Sequence, residues 1–272
     1  MKKIKTYLID LWHVLRLPEM LILPGNLAFF LVLSLAPLVT LFGLVASTLS
    51  LSTESISSFF GNVLPIGIID LLVPFLNGEF NTGNFIFLIV SFYVASNGTD
   101  SLIIASNTLY KTENRNYIAR KIKAVFTNFW LLLLFLVVLL IMAFGSFILT
   151  KVLAFGTLGK FIASNYVLIT IVKLLFAFIV IFITIKIIYT LAPDVKIKSK
   201  YVNAGALFAT VAIMLVTSIY SFYVTNVAHY DIIYGSLATI AILMLLIYFI
   251  SYIIVLGIAI NHNYYKNDMN NI

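Results

Sequence analysis

A run of polar residues lies inside an apolar stretch of the chain, at Ser96, Asn97, Gly98, Thr99, Asp100 and Ser101. The stretch, residues 85–110, is long enough to cross a lipid bilayer as a helix. A carboxylate inside a bilayer is costly unless it is protonated, paired or hydrated, so such a group often belongs to an ion or substrate path. Two interpretations stay open: these side chains line a polar cavity, or they bind neighbouring helices near a membrane surface. The consecutive Asn97 and Gly98 also predict a local break in the helix.

Two lysines extend this candidate site into the stretch 166–191. Lys186 lies near one end, at a depth similar to Asp100, so the two could form an ion pair; alternatively Lys186 extends to the membrane surface. Lys173 lies about two turns below the other end, where it either faces inward and meets an anionic group in a central cavity or uses most of its stem to reach the membrane surface.

Proline and glycine add predicted bends to this site. Pro37 removes a backbone hydrogen bond in the first apolar stretch and predicts a kink there. The hinge or kink positions are Pro24, Gly25, Pro37 and Gly98. The predicted cavity is lined by Asn26, Ser34, Ser96, Asn97, Asp100, Asn107, Lys173 and Lys186.

Several kinds of catalytic site are not supported by the sequence. The histidines, His13, His229 and His262, lie in different segments without metal-ligand spacing, and the chain has no cysteine. No glycine-rich phosphate loop precedes a lysine, and no Ser-His-acid set falls at one membrane depth. We therefore expect no enzymatic activity, no metal and no cofactor.

Six long apolar stretches must position these residues: 24–49, 85–110, 125–149, 166–191, 203–227 and 235–260. Hydrophobic residues make up 62% of the chain and charged residues 10%, whereas soluble domains average about half and a quarter. A helix of about twenty residues crosses the roughly 30 Å of hydrocarbon in a bilayer. The predicted fold is an all-α membrane bundle of six transmembrane helices, forming a single membrane domain over residues 1–272.

Positive charge alternates between the segments that join these stretches. Thirteen lysines and arginines lie in the odd-numbered segments and two in the even-numbered ones. Because lysine and arginine are retained on the cytoplasmic side, we predict a plasma-membrane protein with both termini in the cytoplasm. The net charge of +7 is then explained by topology and anionic lipids, and no nucleic-acid partner is predicted.

Segments outside the spans have their own predicted structures. Residues 2–17 form an amphipathic helix that lies in the cytoplasmic headgroup layer. The external segment 50–84 contains either two short helices that act as a lid or a plain connecting loop. Residues 111–124 are a basic, helix-like connection, and 192–201 a short turn around Pro193 and Asp194.

Short motifs are distributed along residues 5–262. One motif opens the first stretch at Pro24-Gly25-Asn26, and another ends the second stretch at Ser96-Asn97-Gly98. Further motif positions include Asn107, Tyr110, Tyr189, Pro193, Gly205, Tyr234, Gly235, Gly257 and Asn261. Together these motifs resemble those of the YihY/BrkB family of membrane proteins.

The chain departs from the family pattern at three positions. Tyr93 and Leu246 replace tryptophans, and Ala259 replaces a glutamate that is common in the family. The resemblance implies an all-α protein of six helices, from a family associated with envelope integrity, serum resistance and lipid transport. The ribonuclease label that the family has also carried finds no support in the residues.

The leading functional prediction is a carrier or translocator of lipid or another amphiphilic anion. In this hypothesis Lys173 or Lys186 neutralises the headgroup, and Asp100 is a counter-ion or a proton-coupling site. The alternative is a non-transporting scaffold or assembly factor for the cell envelope. The expected partners are membrane lipids and a small amphiphilic substrate, and the oligomeric state is left open.

Overall fold

The computed structural model describes residues 16, 18–48, 82–131, 166–226 and 236–269. Within these ranges the chain is helical and contains no strand, which confirms the predicted all-α class. The α-helices are α1 (Glu19–Thr48), α2 (Thr82–Leu109), α3 (117–131), α4 (Tyr166–Leu191), α5 (Asn203–Asn226) and α6 (Ser236–Met269). A single turn of 3₁₀ helix, Ser199–Val202, joins α4 to α5.

Large apolar side chains cover much of the outer surface of the bundle. Leu21, Ile118 and Ile219 are each more than two-thirds exposed, at 79%, 69% and 67%. Such exposure is unfavourable in water and ordinary in lipid. Within the described ranges, three apolar segments are long enough to cross a membrane: Leu174–Leu191, Ser199–Tyr223 and Ala241–Lys266. The described part of the chain is therefore a membrane helix bundle.

Two helices extend beyond the residues predicted for their spans. Helix α1 begins at Glu19, so Pro24 lies in its second turn and does not start it. Helix α6 continues to Met269, well past residue 260. The extension of α6 adds polar turns to its span, whereas that of α1 is apolar after Glu19.

The predicted break in the second helix is wrong. Helix α2 runs without interruption through Asn97 and Gly98. A β-carbon at Gly98 would lie 3.2 Å from Ser34 Oγ and 3.3 Å from Leu31 Cδ2. The absence of a side chain at Gly98 therefore serves close packing between α1 and α2, because glycine allows helices in membranes to approach closely.

The helices pack in the order α2, α1, α6, α5 and α4. Their shared core is densest where α1 begins and α2, α4 and α6 end. We call this the basic end, because the connections 111–116 and 192–198 and the basic first turns of α3 lie there. Buried core side chains at this end include Met20, Leu23, Leu109, Tyr110, Tyr189, Ala192, Val202 and Ile260.

Some predicted features fall outside the described residues. These are the interfacial helix 2–17 apart from Arg16, the external segment as far as residue 81, the third predicted span from residue 132 to 149, and Tyr234 and Gly235. Pro37 and Lys173 belong to helices α1 and α4, but their side chains are outside the described part.

Candidate functional site

Three polar residues of α2 face the same side of the helix. Asn97, Asp100 and Asn107 fall within about 80° of one another at 100° per residue. Each of them forms a hydrogen bond or ion pair with a side chain that follows α2 in the sequence. Their partners group into two clusters at the basic end.

The Lys121 cluster consists of Tyr93, Asn97, Asp100, Arg120 and Lys121. The Arg120 guanidinium meets the Asp100 carboxylate twice, with Nε 2.7 Å from Oδ1 and Nη2 3.4 Å from Oδ2. The Lys121 ammonium donates a hydrogen bond to Asn97 Oδ1 at 2.5 Å and lies 4.4 Å from the centre of the Tyr93 ring. The first turns of α3 thus provide two adjacent cations, and α2 provides one carboxylate.

Lys121 lies on the inward face of α3, although it is a lysine next to a membrane. Only 7% of the residue is exposed, and Ala124 and Asn128, three and seven positions later, are buried on the same face. Burial lowers the pKa of the Lys121 ammonium; the Asp100 charge opposes this shift, and the Arg120 charge adds to it. The cluster holds a positive charge where water is largely excluded.

The Lys121 cluster has a neutral extension one turn away. Thr99 Oγ1 donates a hydrogen bond to Asn128 Oδ1 at 3.4 Å, and both residues are buried. Asn128 Nδ2 has no hydrogen-bond partner among the described residues. The contact between α2 and α3 is therefore polar over more than one turn.

The Asp194 clasp consists of Asn107, Asn114, Arg115, Lys123 and Asp194. Asn107 is fully buried; its Nδ2 donates to Asp194 Oδ2 at 2.7 Å and to Asn114 Oδ1 at 3.0 Å. Its Oδ1 accepts the backbone N–H of Asp194 at 2.8 Å. Both amide hydrogens and the amide oxygen are used, so this side chain ties the end of α2 to the turn after α4.

Lys123 completes the clasp from α3. Its ammonium donates to the carbonyl oxygens of Ala192 and Pro193 at 2.7 and 2.9 Å, and to Asp194 Oδ1 at 2.8 Å. Arg115 Nε lies 3.1 Å from the same carboxylate oxygen. The lysine thereby satisfies two carbonyls at the end of α4 that would otherwise lack partners.

The pKa values of the two clasp partners shift for different reasons. Burial raises the pKa of Asp194, but the hydrogen bonds from Lys123 and Asn107 and the nearby cations outweigh burial, so its pKa is lowered. Burial also lowers the pKa of Lys123, in opposition to its ion pair. Three acceptors require three N–H donors, which only the ammonium form provides, so Lys123 is charged in this arrangement.

A second contact at the basic end brings together family-motif residues from three helices. The backbone N–H of Gly205 donates to Asn261 Oδ1 at 2.7 Å, and Tyr189 donates from its hydroxyl to the Ile254 carbonyl at 2.8 Å. A β-carbon at Gly205 would lie 2.6 Å from Asn261 Cγ, and one at Gly257 would lie 2.9 Å from Tyr189 Cζ. This contact packs α5 and α4 tightly on α6.

Helix α1 contributes a smaller polar contact. The Ser34 hydroxyl lies 2.6 Å from the Phe30 carbonyl and 3.3 Å from the Ala95 carbonyl of α2. Ser96 donates to the Tyr93 carbonyl of its own helix at 2.6 Å. These hydroxyls are buried and bonded to backbone oxygens.

The remaining predicted residues lie in varied settings. Asn26 and Gly25 are half-buried on α1, and Pro24 is fully buried there. Tyr110 packs edge-on against His262, with ring centres 5.4 Å apart. These positions are not part of either cluster.

The suggested ion pair between Lys186 and Asp100 is wrong. Within the described residues Asp100 pairs with Arg120. The Lys186 ammonium lies 5.9 Å from the centre of the Phe182 ring on its own helix. The partner of Asp100 is a residue close in sequence, because α3 folds back along α2.

The most informative cations were not predicted as site residues. In the sequence, Arg115, Arg120, Lys121 and Lys123 belong to the basic connection 111–124 and indicate only topology. A helical projection gives a signal: Ile118, Ile122 and Phe126 form an exposed apolar stripe on α3, which turns Lys121 away from lipid. Asp194, in the predicted turn, has no such signal. Its partners Lys123 and Asn107 lie 71 and 87 positions earlier in the sequence.

Chemically, the Lys121 cluster is suited to hold an anion, whereas the Lys123 ammonium of the Asp194 clasp already donates to three acceptors. Each cluster combines one carboxylate with two cations: Arg120 and Lys121 with Asp100, and Arg115 and Lys123 with Asp194. Among the described residues no group of histidine, aspartate and glutamate side chains could hold a metal ion. The geometry provides fixed positive charge and hydrogen-bond donors.

Comparison with known proteins places the chain in a family. The model of the virulence factor BrkB family matches residues 19–271, which include both clusters and the contact between Gly205 and Gly257. The chain belongs to the BrkB family. The resemblance inferred from the short motifs is thus confirmed.

The curated relatives of this BrkB-family chain include proteins named as membrane proteins and one named as ribonuclease-like. It is 26% identical to a UPF0761 membrane protein of Aeromonas salmonicida (strain A449) over 259 residues, covering 90% of this chain and 84% of the relative. It is 28% identical to the ribonuclease-like protein YfkH of Bacillus subtilis (strain 168) over 246 residues, 87% of each chain. No solved structure matches the chain. The BrkB-family protein is therefore a membrane protein.

Proposed function

We propose that this BrkB-family protein is a carrier that moves a lipid or another amphiphilic anion across the plasma membrane without chemical conversion. In this proposal six helices span the bilayer, both termini are cytoplasmic and the basic end faces the cytoplasm. The charge alternation along the sequence supports this orientation. The substrate would meet the Lys121 cluster at the cytoplasmic surface.

One observation supports an anionic substrate most directly: the ammonium groups of the two lysines of α3 differ in how many of their N–H groups have hydrogen-bond acceptors. Lys123 donates to three acceptors, the full capacity of an ammonium group. Lys121 donates to one, the neutral amide oxygen of Asn97, among the described residues. Lys121 therefore has N–H donors available for an anionic ligand.

The surroundings of Lys121 support an amphiphilic ligand. Along α3 the apolar stripe of Ile118, Ile122 and Phe126 is exposed on the lipid side, beside the cations of the first turns. A headgroup at Lys121 would leave its acyl chains free to lie along this stripe. A polar solute without an apolar portion would gain no binding energy from the apolar stripe.

Transport in reconstituted vesicles tests this proposal. Purified protein is inserted into liposomes that contain a fluorescent anionic lipid, and loss of signal after an added quencher reports movement between leaflets. Lys121→Met should slow transport at least about tenfold, because a hydrogen bond to a charged group contributes about 1.5–3 kcal/mol. Lys198→Met is the matched control, since Lys198 is an exposed lysine in the turn before α5. Transport at the rate of empty liposomes would contradict the proposal.

The Asp194 clasp favours a second candidate, a non-transporting scaffold. Its polar groups are satisfied by one another, as expected for a structural brace. The scaffold function predicts that Lys121→Met complements a deletion strain fully, whereas Asn107→Ala does not. A carrier predicts that both variants fail.

A further inference from the structure

The charges around Lys121 indicate what kind of anion the cluster would accept. Arg120 and Asp100 neutralise each other through a bidentate contact, and both side chains are more than 80% buried, at 17% and 14% exposure. Lys121 then leaves one positive charge without a carboxylate among the described residues. A largely dehydrated site with one surplus charge is complementary to one negative charge.

We infer that the Lys121 cluster binds the phosphodiester headgroup of a singly charged lipid and discriminates against doubly charged phosphomonoesters. This inference rests on the proposed function and names the substrate class for the same site. A phosphodiester carries one negative charge and unesterified oxygens that can accept the free N–H groups of Lys121.

Asp100 supplies the discrimination. A second negative charge on the ligand has no further cation to meet in this cluster, because Arg120 already faces Asp100. The carboxylate would repel it across a medium of low dielectric constant, where charges a few ångströms apart interact strongly. A carboxylate next to an anion site thus selects ligands by charge.

The surface beside the cluster favours a lipid over a soluble phosphate ester. Tyr93, whose ring lies against Lys121, is 50% exposed, and Tyr117, whose ring lies 5.8 Å from the Arg120 guanidinium, is 61% exposed. Exposed tyrosines are common at the membrane surface. The apolar stripe of α3 begins at Ile118, next to Tyr117.

Equilibrium binding to the full chain in neutral detergent tests the inference. Short-chain phosphatidylglycerol provides the phosphodiester and short-chain phosphatidic acid the phosphomonoester. Near pH 8.5 the phosphomonoester is mostly a dianion, because the second pKa of a phosphate ester is about 6. The wild type should bind phosphatidylglycerol about tenfold more tightly. Equal affinities would overturn the inference.

Variants of Asp100 identify the source of the preference. Asp100→Asn raises the surplus charge from one to two, so it should abolish or reverse the preference, whereas Asp100→Glu should keep it. An unchanged preference in Asp100→Asn would overturn the role of the carboxylate. The wild type alone provides a test that needs no variant: near pH 5 phosphatidic acid becomes a monoanion, and the preference should disappear.

Two further measurements separate the related explanations. Glycerophosphoglycerol, the same headgroup without acyl chains, should bind at least about tenfold more weakly, and equal binding would overturn the lipid assignment. Selective binding without transport in liposomes would refute the carrier and leave this inference intact. Transport without a preference for the diester would refute the inference and leave the carrier intact.

Discussion

The contact between Gly205 and α6 gives a prediction whose size follows from the geometry. In Gly205→Ala the new methyl group would lie 2.6 Å from Asn261 Cγ and closer still to the Gly257 carbonyl oxygen, whereas ordinary contact begins at 3.4 Å. Helices α5 and α6 must separate by about 0.8 Å to relieve the first of these overlaps. Neither obstacle is the flexible end of a long side chain.

Two effects add to the cost of this substitution. Overpacking a well-filled interior typically costs about 1–3 kcal/mol. Separation of the helices also stretches the hydrogen bond from the Gly205 N–H to Asn261 Oδ1, now 2.7 Å, and such a bond contributes about 0.5–1.5 kcal/mol. We expect Gly205→Ala to lower the free energy of unfolding by about 2–4 kcal/mol.

The matched control is Gly25→Ala in helix α1. A β-carbon at Gly25 would have no heavy atom within 4 Å, and alanine is the better helix former by about 0.5–1 kcal/mol. This variant should be as stable as the wild type or more so. Unfolding of each purified variant in mixed micelles, by titration with a denaturing detergent and circular dichroism, measures the difference. Equal stability of the two alanine variants would refute the argument from close packing.

Three further predictions concern hydrogen bonds at the basic end. Asn107→Ala removes three hydrogen bonds and should lower the free energy of unfolding by about 2–4 kcal/mol, whereas the exposed Asn114→Ala should cost less than about 1 kcal/mol in the same denaturation assay. Tyr189→Phe removes the bond to the Ile254 carbonyl and should cost about 1 kcal/mol; no loss would show that this hydroxyl is dispensable. Because the pKa of Asp194 is lowered on folding, its carboxylate stabilises the fold at pH values above 3.8, its ordinary pKa, and this contribution is lost as the pH falls through the lower native pKa. Between about pH 5 and 3 the unfolding temperature should therefore decrease more steeply in the wild type than in Asp194→Asn. Parallel curves of unfolding temperature against pH would contradict the assignment.

The fold class could be predicted because the lipid environment constrains a helix strongly. Helix α4 begins and ends at the predicted residues 166 and 191, where the apolar run itself begins and ends. Helix α6 exceeded its prediction because its last turns are polar and helical, and hydropathy does not report on such turns. Asn97-Gly98 failed as a break because helix propensity is a weak guide where a close neighbour, here Ser34, provides the packing.

Of the candidate site, only the residues on helix α2 could be predicted from the sequence. Asn97, Asp100 and Asn107 were identified because a polar side chain in an apolar run needs a partner. Their partners were not, since lysines and arginines in a connection are sufficiently explained by topology. A helical projection separates Lys121 from the apolar stripe of Ile118 and Ile122, but the partners and the burial of Lys121 are seen only in the tertiary structure. The pairing of Asn107 with Asp194 crosses 87 positions, which periodicity does not detect.

The Asp194 clasp is a point at which several elements are held together. It joins the end of α2, the start of α3 and the turn after α4 through one buried carboxylate and one saturated ammonium group. A tilt of these helices about that point would produce a displacement that grows with distance from it. A tilt of about 5° over 25 residues shifts the opposite tip of a helix by about 3 Å, at 1.5 Å per residue. Rocking of this amplitude would widen the far side of the bundle while leaving the anchored side almost stationary.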